Sequence, residues 1–210
     1  MQGKGNRFLI RLGLLLIAAA LLLAVCNVGW EYRAKRAAQK TAEQLKKGMA
    51  KAVKGDTADA GITRNPGETE IPDYLLNPDM DMPAMEIDGE KYIGILQIPS
   101  LALELPVLRD GEEEKLGMAP GCCEGSCYTG DMVIVGRNYP SFFGRLSRLR
   151  TGDEIIFTDI DGNVFSYAVQ AAEQPETAVI QGLSGDGWDL TLGSYTAGGQ
   201  DVIAIRCSAQ

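Results

Sequence analysis

The dipeptide Asp161-Gly162 constrains the fold of this chain most tightly. It separates two β-rich runs, 153–159 and 163–171, and both of its residues tolerate positive φ. Such a pair predicts a β-hairpin, because the backbone twist of a two-residue turn then matches the twist of its flanking strands. Other short runs extend the pattern. Tyr92–Ile98 is rich in β-branched and aromatic residues and stops at Pro99. Leu103–Leu108 carries Pro106, which has no N–H for a ladder and suits an edge position. Met132–Val135 is continuously apolar, as in a strand covered on both faces. Leu190–Tyr195 and Val202–Cys207 supply two more strands. The stretch 143–149 fits one or two helical turns, with Phe142, Leu146 and Leu149 on one side. Seven to eight short strands with only short helices predict an all-β domain over residues 86–210, closed or nearly closed into a barrel.

The first 85 residues have a different texture. Leu12–Val28 is uncharged and dominated by Leu, Ala and Val, with Lys4, Arg7 and Arg11 before it. With Gly29 and Trp30 it is just long enough to cross a hydrocarbon core of about 30 Å, and Trp30 and Tyr32 sit where interfacial aromatics are expected. A cleaved signal peptide is the rival reading. Its apolar stretch would be shorter, and Leu23-Ala24-Val25 lacks the small residue usual before a lipidated Cys26. Residues 1–30 therefore read as an uncleaved single-pass anchor in membrane lipid. Residues 31–54 are rich in Ala, Lys, Gln and Glu, a composition that favours helix. Their apolar positions are mostly small and spread around the axis, so this basic helix reads as a solvated stalk; a basic face lying on anionic headgroups is the alternative. Residues 55–85 hold prolines at 66, 72, 78 and 83 among Asp, Gly and Thr. This is linker chemistry, which either spaces the domain from the membrane or wraps along its surface.

Charge excludes one class of partner. The formal net charge is −8, but residues 1–54 hold 11 Lys+Arg against 2 Asp+Glu and residues 86–210 hold 8 against 19. Nucleic acid is disfavoured for so acidic a domain, since binding it requires clustered cations. Of five cysteines, Cys122, Cys123 and Cys127 crowd one loop, and the chain contains no histidine. A fourth zinc ligand at normal spacing is missing, so neither a metal nor another cofactor is expected. A small-loop disulfide from Cys127 to Cys122 or Cys123 and unpaired thiols both remain compatible with the spacing.

Four segments in order resemble the sortases, cysteine transpeptidases of bacterial surface proteins. Asp189-Leu190-Thr191-Leu192-Gly193-Ser194-Tyr195-Thr196 is similar to the strand that ends Thr-Leu-x-Thr-Cys, with Tyr195 in the cysteine slot. Val133-Ile134-Val135-Gly136-Arg137-Asn138 resembles the strand that ends Gly-His-Asn, with Arg137 in the histidine slot. The run 198–207 resembles the last strand, with Val202 where the family places its arginine. Phe142–Leu146 followed by Gly152-Asp153-Glu154-Ile155 is similar to the short helix and strand start after the histidine loop. The pattern looks most like class B-like sortases of anaerobic Gram-positive bacteria.

The resemblance implies a sortase barrel outside the cell, anchored by an N-terminal helix with its amino terminus inside, that acts on a sorting-signal peptide. It marks Asn138, Thr191, Leu192 and Ser194 as groove candidates. The implied chemistry needs a nucleophile, a proton donor and an oxyanion donor. Tyrosine, with an ordinary pKa near 10, is about one-thousandth ionised at neutral pH. Arginine stays protonated and cannot serve as general acid or base. Valine donates nothing. The expectation is an inactive sortase homologue, catalytic at none of these three positions, that binds a sorting-signal peptide, a partner surface protein or another sortase. Arg137 over the Tyr195 ring would then be a structural cation–π contact, and neutral decay of the site is the plainer account of both residues. An active enzyme using non-standard residues and a structural surface protein with an empty groove are the alternatives.

Overall fold

The structure is a computed structural model that describes residues 3–59, 71–173, 187–195 and 202–210. A helix, α1 (Gly3–Asp59), leads into a one-turn helix, α2 (Asp73–Leu76), and then nine strands: β1 (Met85–Ile87), β2 (Glu90–Ile98), β3 (Leu103–Leu108), β4 (Gly121–Glu124), β5 (Met132–Gly136), β6 (Glu154–Asp159), β7 (Val164–Glu173), β8 (Leu190–Tyr195) and β9 (Val202–Ala209). Their order in the sheet is β1-β2-β3-β4-β5-β8-β9-β7-β6, and β6 pairs back onto β2. That last pairing closes β2 to β9 into an eight-stranded barrel and leaves β1 as a short flap hydrogen-bonded to β2.

The closure depends on a glycine. Gly94 lies opposite Asp159 at the β2–β6 seam, and a Cβ there would collide with the Thr158 carbonyl. The predicted hairpin is β6–β7, with Gly162 at φ 88°. Asp159, fully buried at the head of its turn, accepts hydrogen bonds from the Asn163 backbone N–H, the Asn163 side-chain amide and the Tyr128 hydroxyl, each at 2.8 Å. Three donors compensate a carboxylate that burial would otherwise penalise.

β5 is buried along its whole length, as its unbroken apolar run requires. It runs parallel to β8 and antiparallel to β4. Pro106 also sits as expected: β3 pairs with β2 throughout but meets β4 only at Leu108↔Gly121. Phe142, Leu146 and Leu149 are buried together, on turns and a 3-10 segment (Leu146–Arg148) in place of a regular helix.

The reading of residues 31–54 as a solvated stalk is overturned. Ala38, Ala42, Leu45 and Met49 recur at four- and three-residue steps, form one stripe of α1, and are buried. Ala38 joins the main barrel core, while Leu45 and Met49 pack with Tyr92, Ile95 and Leu108. Small alanines bring the helix axis close to β3, and the two larger side chains then fill the gap. Lys46 adds a 2.6 Å ion pair to Glu104 on β3. Of the linker alternatives, wrapping describes residues 71–84: Tyr74 stacks on Tyr128 with ring centroids 4.8 Å apart, and Met82 packs against the core beside the Cys127 thiol.

Among the described residues, no helix is long and apolar enough to cross a membrane. The run Leu12–Val28 falls within α1, but several of its side chains, those of 23–28 among them, lie outside the described residues.

Candidate functional site

The register of three strands brings the singled-out positions together. Gly136 pairs with Ser194 across the parallel β5–β8 ladder, and Tyr195 pairs with Val202 across β8–β9. Arg137, Tyr195 and Val202 therefore meet at one end of the barrel, with neighbouring backbones about 5 Å apart. The tight fit behind them rests on Gly136, where a Cβ would stand 2.8 Å from the Phe143 ring.

Arg137 is held by Glu113, while the expected contact with the Tyr195 ring falls outside the described residues. Its Nη2 donates to the Glu113 carbonyl at 3.0 Å and lies 3.4 Å from the Glu113 carboxylate. The Tyr195 side chain lies outside the described residues, as do 196–201, which begin the Gly-rich approach to β9. Val202 is fully buried in a small apolar cluster with Val133, Val135 and Ala204, covered by Leu116 on the 3-10 turn Lys115–Gly117. Lys115 pins that turn through Glu90 at 3.3 Å and Glu112 at 3.1 Å.

The groove candidates divide. Asn138 is half-buried beside Gly144. Thr191, Leu192 and Ser194 are buried in the barrel wall and offer no open surface. Alternation exposes only one strand face to a groove, but here both faces of β8 are covered. Sequence reasoning passed over Arg206, four residues beyond Val202. It is 4 % exposed, its Nη1 donates to Thr191 Oγ1 at 3.1 Å, and its Nε bonds Glu173 at 3.2 Å. Its place opposite Thr191 puts it about 13 Å along the strand from Tyr195. Its guanidinium therefore braces the wall, away from the strand ends. The only signal in the sequence was a charged residue inside an apolar strand.

The described cysteines Cys122, Cys123, Cys127 and Cys207 are free thiols. Burial pushes Cys122 and Cys207 up to about 12 and Cys123 up to about 11, and it raises Cys127 further. None is a thiolate at neutral pH, the state that attacks carbonyls.

An eight-stranded barrel closed by β2–β6, with a parallel β5–β8 pair whose ends meet β9, is the frame of a sortase domain. Residues 96–196, just under half of the chain, match the family model of that domain. The chain is 27 % identical over 148 residues to Sortase A of Bacillus anthracis, an alignment covering 67 % of this chain and 65 % of that protein. The chain thus spans somewhat under two thirds of that relative's length. Among solved structures, sortase C1 of Streptococcus agalactiae superposes with a TM-score of 0.50 at 24 % identity, covering 60 % of this chain and 70 % of that one. Clostridium perfringens sortase C, solved with the C-terminal cell wall sorting motif, gives a TM-score of 0.50 at 19 % identity, covering 81 % and 90 %. At such identities these two structures speak for the fold.

Proposed function

We propose that this chain is a sortase homologue without transpeptidase activity, held at the outer face of a cell membrane by Leu12–Val28, that retains a sorting-signal peptide without cutting it. The class B-like cast of its strand motifs belongs to the same proposal. One observation carries the reading: the strand ends that meet at the barrel mouth bear Arg137, Tyr195 and Val202, in a chain with no histidine. A guanidinium cannot exchange the proton that thioester chemistry moves, and every described thiol is held neutral by burial. The sorting motif bound to the clostridial structure supports the ligand class.

A second reading has its own support. Leu116 covers Val133, Val135, Val202 and Ala204, and all five are buried. A barrel whose apolar patch is already filled by its own residue suits a structural surface protein with no occupied groove.

The test incubates the full chain, in detergent, with a library of peptides drawn from bacterial surface-protein tails, and scores cleaved and retained peptides by mass spectrometry. Retention without cleavage is the expected result. Cleavage with turnover sinks the proposal and calls for another catalytic set, while neither signal favours the structural reading.

A further inference from the structure

The outward face of α1 carries a row of cations. With 3.6 residues per turn, Arg33, Arg36, Lys40, Lys47 and Lys51 fall within an arc of about 60°. That arc stands opposite the buried stripe of Ala38, Ala42, Leu45 and Met49, and all five cations are exposed. Every residue from 33 to 51 that falls in the arc is Lys or Arg, and Glu43, on its flank, is the one acid in that stretch. The row runs about 27 Å along the helix axis.

Among the described residues none of the five is ion-paired; the pair that ties the helix to the barrel is made by Lys46, outside the arc. Arg36 is fixed by Tyr32, with its guanidinium carbon 4.4 Å from the ring centroid and Nη2 donating to the hydroxyl at 2.5 Å. Arg33 and Arg36, Arg36 and Lys40, and Lys47 and Lys51 stand three or four residues apart, a spacing at which like charges destabilise a helix. A counter-charge from outside relieves that repulsion. The acidic barrel does not supply it, because a helix about 10 Å thick sets the row farther from it than a Debye length of about 8 Å.

Three arguments select the counter-charge. With Leu12–Val28 in a bilayer, a headgroup layer of about 5–8 Å and one Debye length of about 8 Å reach Arg33 and Arg36. Lys47 and Lys51 stand about 28 and 35 Å beyond Val28, out of range of lipid. A protein partner needs apolar anchors at the centre of its interface, and the arc offers none. A single-stranded nucleic acid needs rings on which to stack its bases, and Tyr32 is already taken by Arg36. We propose that this face binds a linear phosphate polymer without bases, lying along the helix from Arg33 to Lys51. Arginine grips a phosphate as a fork and lysine as a point charge, and a flexible chain follows their uneven spacing. The choice of polymer over lipid rests on the anchor proposed above; the row itself does not.

The test places the full chain in phosphatidylcholine nanodiscs and follows end-labelled inorganic polyphosphate by anisotropy through a salt series. A flexible strand loses about 0.7 in log K per unit of log salt for each charge neutralised, so the whole row gives a slope of about −3.5. Lys40→Gln with Lys47→Gln should weaken binding at least tenfold and flatten the slope by about 1.4. Arg148→Gln with Arg150→Gln, the same charge change at exposed barrel positions, should alter neither. In acetylation footprints, polyphosphate should protect Lys40, Lys47 and Lys51, whereas phosphatidylglycerol nanodiscs should leave Lys47 and Lys51 reactive. No saturable binding, or equal losses from the two pairs of substitutions, would overturn the proposal. Protection of Lys47 and Lys51 by phosphatidylglycerol would give the face to lipid and overturn it too. So would tighter binding of polyglutamate or oligothymidylate at matched charge, which would point to an acidic protein or a nucleic acid. A chain that leaves the nanodisc counts against the anchor alone, since the polymer footprint is read on the row itself.

Discussion

Arg137, at the end of β5, is tied to Glu113 by a 3.0 Å hydrogen bond to its carbonyl and a 3.4 Å ion pair to its carboxylate. Glu113 begins the loop that carries Leu116 over the apolar cluster, so the strand end and its cover are fastened by one residue. The pair is partly solvated, and exposed ion pairs contribute little, about 0–1 kcal/mol. Arg137→Ala should therefore lower global stability by less than about 1 kcal/mol while loosening the cover. Hydrogen exchange should quicken at 113–117 with the urea midpoint nearly unmoved; unchanged exchange there would disconnect the pair from the cover.

Val202→Arg places a guanidinium in the apolar cluster of Leu116, Val133, Val135 and Ala204. An uncompensated buried charge costs about 3–5 kcal/mol. The expected outcome is a loss of that size in chemical denaturation, or a smaller loss accompanied by dye binding as Leu116 is lifted away. Wild-type stability with no new apolar exposure would contradict the packing described for this strand end.

The thiols predict an alkaline limit. Burial raises Cys122 and Cys207 from 9.0 to about 12. A folded pKa above the unfolded one means that the stabilisation is complete below about pH 9 and declines as pH climbs toward 12. The melting temperature should fall between pH 9 and 11, and less steeply in Cys207→Ala. Equal slopes for the two proteins would remove Cys207 from the account. Iodoacetamide should label these thiols slowly at pH 8 in the native protein and quickly in urea.

Leu45 is fully buried between α1 and the barrel. Leu45→Ala should cost about 2–5 kcal/mol if the helix stays docked, as for other core truncations. If the helix lets go instead, proteolysis within residues 33–50 should accelerate while the barrel remains intact. A variant that matches wild type in both measurements would show that this stripe does not hold the helix.

Much of the barrel could be read ahead of the structure because its signals are local. The Asp161-Gly162 turn, Pro106 at a half-paired edge and the unbroken Met132–Val135 run each report a backbone constraint carried by one or two residues. The convergence of Arg137, Tyr195 and Val202 was reachable only through the order of resembling segments, since no spacing rule shows that β5 runs beside β8. Three features escaped. The α1 stripe was missed because Ala38 and Ala42 carry little hydrophobicity; their smallness matters only once β3 is there to approach. Arg206 hid because a lone charge in an apolar strand looks like an exposed edge residue until Thr191 and Glu173 are brought to it. Thr191, Leu192 and Ser194 belong to a motif that resembles a groove wall, but cover on both faces of β8 came from distant segments.

The uninterrupted course of α1 has a mechanical consequence. Ala38 lies ten residues beyond Val28, about 15 Å along the axis, and from there to Met49 the helix packs on the barrel through β1, β2 and β3. A swivelling tether would let the barrel sample any orientation above whatever holds the other end. This rigid spar instead fixes the direction in which the barrel mouth looks, and a rotation of the apolar end about its own axis would sweep that mouth through the same angle.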